Sequence, residues 1–162
     1  MSPDSWESFF LGQLGATAAL GGLLFVAISI NVAKIVEVAG LADRAVLSLL
    51  ILLAVLVVAA LMLMPDQSPL AMGLEVVIVM LLVIVGGTVL GLRGVRNTEA
   101  VHRGNAVVGL AGFELACLIC LVGGVFLVAG SVAGLYWLAV GMCVGVVKAV
   151  SDAWVFLVEI NR

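Results

Sequence analysis

The stretch AVLSLLILLAVLVVAALMLM, residues 45–64, constrains the fold of this chain more than any other. It carries one polar side chain, Ser48, and neither glycine nor charge. About 20 such residues, wound as a helix, cross the hydrocarbon core of a bilayer. A helix also satisfies every backbone N–H and C=O inside its own segment, which a membrane interior demands. Four further apolar runs of similar length occupy 9–33, 70–92, 106–129 and 132–160. The predicted fold is therefore all-α: a polytopic bundle of five transmembrane helices forming a single integral membrane domain over 1–162. Composition removes the competing classes. The chain is 65% hydrophobic and 10% charged, whereas soluble domains are nearer a quarter charged. A chain of 162 residues is too short to hide so much apolar surface in a core of its own. A net charge of −3, spread between the helices, implies no nucleic-acid partner. The lipid bilayer is the first partner.

The connections set a direction. Pro65 and Pro69 bracket the second one, as expected where one helix stops and the next begins. Lys34 and Arg44 lie in the first connection and Arg93, Arg96 and Arg103 in the third. The second connection and the turn at Gly130–Ser131 contain no Lys or Arg, and Arg162 ends the chain. By the positive-inside rule this alternation predicts an N-terminus outside and a C-terminus in the cytoplasm. The acidic start MSPDSWE is unlike the basic start of a secretory signal. Ser2, Pro3 and Asp4 look instead like a helix start, so the first segment is expected to be retained.

Small residues recur at four-residue spacing in every segment except the second: Gly15 and Ala19, Ala18 and Gly22, Gly87 and Gly91, Gly112 and Ala116, and the ridge Gly141, Gly145 and Ala149. Such residues let helix backbones approach closely, so these helices are expected to pack against partners within the chain or between chains. The second segment, lacking them, can face lipid on most sides.

Charges inside the membrane are costly and call for partners. Lys148 follows an apolar run of 16 residues, 132–147, and so falls inside the hydrocarbon boundary. Asp152 lies one turn on, on the same face, where an i,i+4 pair can form. Glu114 stands about 16 Å along its helix from Arg103, and Asp152 about 15 Å from Arg162, at 1.5 Å per residue. Glu114, Lys148 and Asp152 are therefore expected in one layer, as an intramembrane charge cluster. Two acids and one lysine do not balance. Lys34 is the candidate further cation; a proton or a bound metal ion would serve the same end. The default role is an ion pair that fixes helix register, and the functional one is ion or proton passage. In the first segment Gln13, Thr17, Leu20, Leu24, Ala27, Asn31 and Lys34 follow steps of three and four along one stripe. A stripe polar at its ends and apolar between suits a pore lining with a hydrophobic constriction, or an interhelical packing face.

Enzyme chemistry finds no support. The one histidine, His102, sits in a basic connection and cannot build a histidine metal or haem site. Cys117 and Cys120 in ELACLIC, like Cys143, are expected to be small apolar side chains of a membrane helix rather than a redox pair. No catalytic residue, metal or cofactor is expected.

The block WESFFLGQLGATAALGGLLFVAISINVAKIV resembles the first helix of a group of small bacterial membrane proteins, frequent in actinobacteria, that are often labelled modulators of FtsH protease. The resemblance rests mainly on LLFVAISIN. It implies a partner role toward a membrane-anchored ATP-dependent protease and brings no site residues with it. The expected function is that of a homo-oligomer, with an ion-conducting pore or channel as its activity. A non-transporting regulator of a membrane protease is the alternative.

Overall fold

The computed structural model describes residues 4–38, 40–98, 100 and 103–160. Among these residues the chain forms α1 (Asp4–Ile30), α2 (Val32–Glu37), α3 (Leu41–Met62), α4 (Pro69–Asn97), α5 (Arg103–Val128) and α6 (Ala133–Ile160). All but α2 are long and apolar enough to cross a membrane.

The helices begin and end where local chemistry says, which is not where hydropathy fades. The predicted segment 9–33 divides in two, because α1 stops at Ile30 and α2 starts after Asn31. The Asn31 amide does not cap α2 and donates back to Ala27 O at 2.9 Å. Such side-chain bonds compete with the helix ladder. Helix α4 starts at Pro69, as the bracketing prolines predict, and the structure adds a cap: the Ser68 hydroxyl accepts from Ala71 N at 3.2 Å. At its other end α4 overruns the predicted limit at 92 and reaches Asn97, so Arg93 and Arg96 sit on a helix rather than in a loop. Arginine is a good helix former and carries its charge on a long apolar stem. Gly130, at φ 75°, closes α5, with Ser131 N donating to Phe126 O at 2.9 Å. Ser2, Pro3, His102 and Arg162, invoked above, lie outside the described residues.

Helix α3 is the centre of the bundle and touches α1, α4, α5 and α6. Its composition would let it face lipid on most sides, but 56% of its span is buried, the highest share of the five, against 11% for α1. Lipid tails are as apolar as leucine, so an apolar count cannot tell a central helix from a peripheral one. The middle layer is filled by Val58, Val76, Met80, Phe113, Leu138 and Met142, each at most 2% exposed.

Most glycines bring helices together. A Cβ on Gly73 would lie 2.5 Å from Val128 N, and one on Gly134 2.6 Å from Gly123 O, so α4–α5 and α5–α6 meet backbone to backbone at that end. Gly87 makes room for the Phe113 ring, and Gly145 faces Ile51 and Val55 of α3. Helix α1 differs. Cβ atoms on Gly12, Gly15, Gly21 and Gly22 would meet nothing within 4 Å.

Candidate functional site

Asp152 organises the polar site. It is 3% exposed by side chain and lies on α6 one turn beyond Lys148, whose ammonium pairs with Oδ2. Arg44, in the first turns of α3, reaches the other oxygen, with Nη2 and Nε at 3.1 and 3.3 Å from Oδ1. The Ser48 hydroxyl, one turn along α3, stands 2.8 Å from Asp152 Oδ2 and 3.0 Å from Arg44 O. It has one proton and donates to one of them at a time. Two small residues of α5 make room for the cations. A Cβ on Gly109 would touch the guanidinium at 3.6 Å, and one on Gly112 would press on Lys148 Cε at 3.0 Å.

The residues expected in one layer are thus only partly brought together. Lys148 and Asp152 pair, but Glu114 stands apart and accepts a hydrogen bond from Thr88 Oγ1 at 2.7 Å. Gly112 faces Lys148 across α5–α6, and Glu114, two residues on, points about 200° around the helix at 3.6 residues per turn, toward α4. The further cation is Arg44 and not Lys34, which is exposed on α2. The balance is inverted: two cations share one carboxylate, where the sequence suggested two acids sharing one lysine. Buried charges are tolerated when paired and hydrogen-bonded, and both Asp152 oxygens have such partners.

Sequence reasoning missed Arg44 and Ser48. In the sequence Arg44 reads as a topology marker, and Ser48 as the lone polar residue of an apolar run. Their i,i+4 spacing puts them on one face of α3, which is a legible signal once Lys148 and Asp152 are known to need partners.

The stripe on α1 is a packing face rather than the lining of a pore within the subunit. Thr17 and Leu24 are 1% and 7% exposed, and α1 leans chiefly on α3. Thr17 Oγ1 donates to Gln13 O at 2.6 Å, and Gln13 Nε2 donates to Cys143 Sγ of α6 at 3.6 Å. Leu20, Ala27 and Asn31 are half-buried along the same side, and Lys34 extends beyond it. Cys117 and Cys120 are buried free thiols, and Cys143 is an exposed one.

Beside the Asp152 group lies a cavity of about 500 Å³ between the ends of α3, α4, α5 and α6. Arg44, Lys148 and Asp152 line one wall. Asp43 lines another, turned toward Gly94 of α4. Leu47, Val95 and Leu110 supply apolar surface. Arg93, Arg96 and Arg103 lie on the helix ends around this same end of the bundle. No family model, no curated protein and no solved structure matches this chain.

Proposed function

We propose that this is a non-enzymatic protein of the bacterial cytoplasmic membrane that works as a homo-oligomer, assembled through the outer face of α1. The observation that carries it is the contrast between α1 and the other helices. Glycine costs about 0.5–1 kcal/mol relative to alanine inside a helix; most glycines of α4, α5 and α6 make room for a neighbour, Gly86 and Gly104 excepted, whereas none of the four on α1 does. On α1, Gly12, Gly15, Ala19 and Gly22 form an outward row, and no described atom of another helix lies within 4 Å of where the glycine Cβ atoms would be. Beside them Leu23, Phe25, Val26 and Ile30 are each more than half exposed. A row of small residues flanked by large apolar ones suits a helix crossing with another chain.

Ion conduction, in this proposal, runs between subunits, because the middle layer of each subunit is filled. The cavity end faces the cytoplasm, as the gathering of Arg44, Arg93, Arg96 and Arg103 there favours. The N-terminus is then outside. The alternative role, modulation of a membrane-anchored protease, would use the same α1 face for a partner's helix and rests on the resemblance of the first segment.

The test is cross-linking in membranes. With Cys117, Cys120 and Cys143 replaced, Ala19→Cys should form a disulfide between copies, and a cysteine at the half-buried Ala27 should not. Equal cross-linking at both positions, or at neither, would refute assembly through this face. Reconstituted liposomes separate the roles: ion flux abolished by Gly15→Leu supports conduction, and absence of flux with co-purification of a protease supports modulation.

A further inference from the structure

The cavity beside Asp152 is polarised. On its first wall Arg44 and Lys148 share a single carboxylate, so that wall carries one uncompensated positive charge. Arg44 gives Nε and one Nη2 hydrogen to Asp152, and its Nη1 group has no partner among the described residues. On the α4 side the half-buried Asp43 has neither a hydrogen-bond nor an ion-pair partner among the described residues, and the exposed Glu37 also lines the cavity. The two walls are held apart by packing. Asp43 rests against Gly94 of α4, while Arg44, the next residue, turns across Gly109 of α5 toward α6.

An anion alone would satisfy Arg44 and Lys148 but would bring like charge toward Asp43 and Glu37. A cation alone would do the reverse. A ligand bearing both charges satisfies both walls. The volume of about 500 Å³ falls in the usual range for small-ligand sites. Leu47, Val95 and Leu110 give the cavity an apolar surface at the end of four membrane-length helices, which suits the top of an acyl chain. Basic pockets between transmembrane helices commonly take lipid headgroups. We propose that this cavity binds a zwitterionic lipid headgroup of the phosphoethanolamine type, with its phosphate on Arg44 and Lys148 and its ammonium at Asp43.

The experiment is equilibrium binding to the delipidated full chain in detergent, using short-chain phosphatidylethanolamine, short-chain phosphatidylglycerol and water-soluble glycerophosphoethanolamine. The parent should bind phosphatidylethanolamine at least about tenfold tighter than phosphatidylglycerol, the scale of one charge-assisted contact. Asp43→Asn should remove that preference by weakening the first and strengthening the second. Ala106→Phe, which fills the cavity from α5, should weaken phosphatidylethanolamine binding without lowering Tm. Equal affinity for the two lipids, a preference that survives Asp43→Asn, or no saturable binding would each overturn the proposal. Glycerophosphoethanolamine binding as tightly as the lipid would overturn the membrane as the ligand's source.

Discussion

Removing Asp152 should hurt this protein more than removing either of its cations. The carboxylate is 3% exposed and accepts from the Arg44 guanidinium and the Lys148 ammonium, whose side chains are 21% and 16% exposed, with Ser48 Oγ 2.8 Å away. Asp152→Asn preserves size and leaves two cations converging on a neutral amide. Breaking a buried pair in this way costs about 3–5 kcal/mol. For a chain of this length that is a fall on the order of 10 °C in Tm, at roughly 2–4 °C per kcal/mol. Lys148→Met should cost much less, because Arg44 and Asp152 remain as a balanced, doubly hydrogen-bonded pair. The triple variant Arg44→Met/Asp152→Leu/Lys148→Met should recover most of the loss, since replacing a whole buried ionic group with apolar side chains is often neutral. Thermal unfolding followed by circular dichroism in one detergent would rank the four proteins. If Lys148→Met proves as destabilising as Asp152→Asn, the two-cation, one-carboxylate balance is wrong. The two-acid cluster suggested by the sequence would then regain its footing.

Further outcomes follow from the packing and from the distribution of charge. Gly73→Ala should destabilise by about 1–3 kcal/mol, because its Cβ would lie 2.5 Å from Val128 N and force α4 and α5 apart; Gly21→Ala, which meets nothing within 4 Å, should stabilise by about 0.5–1 kcal/mol. Glu114→Gln should keep the Thr88 hydrogen bond and shift Tm by only a few degrees, and double-mutant analysis with Lys148→Met should find the two additive, as sites without shared partners are. In a background lacking the native cysteines, Ala129→Cys should react with an impermeant maleimide from outside the cell and Asn97→Cys only after lysis; the reverse pattern would invert the proposed orientation.

The helices were legible in the sequence because hydropathy and helix length answer to one constraint, the thickness of the bilayer. Pro69 marked a helix start correctly because its fixed φ and missing N–H suit the first turn, which is local chemistry. Two kinds of information were not legible. The first is rotation: Gly112 and Glu114 are two residues apart, yet Glu114 bonds Thr88 of α4 and Gly112 faces Lys148 of α6. Depth along the axis, which the sequence does give, placed Glu114 with Lys148, and its phase around α5 sends it elsewhere. The second is burial among apolar helices. In water an apolar face reports the core, but in lipid the central α3 and a lipid-facing helix can share a composition. For the same reason Arg44, at the edge of an apolar run, reads as loop charge in the sequence although it closes the ionic group.

The most direct test of assembly through α1 is the mass of the complex after gentle extraction into nanodiscs. The chain is 16.7 kDa. The parent should give one species at an integer multiple of that mass, and Gly15→Leu/Gly22→Leu should shift it to the single-chain mass with no loss of Tm. A parent that runs as a single chain across the accessible concentrations, or a double variant that keeps the parent's mass, would contradict the account.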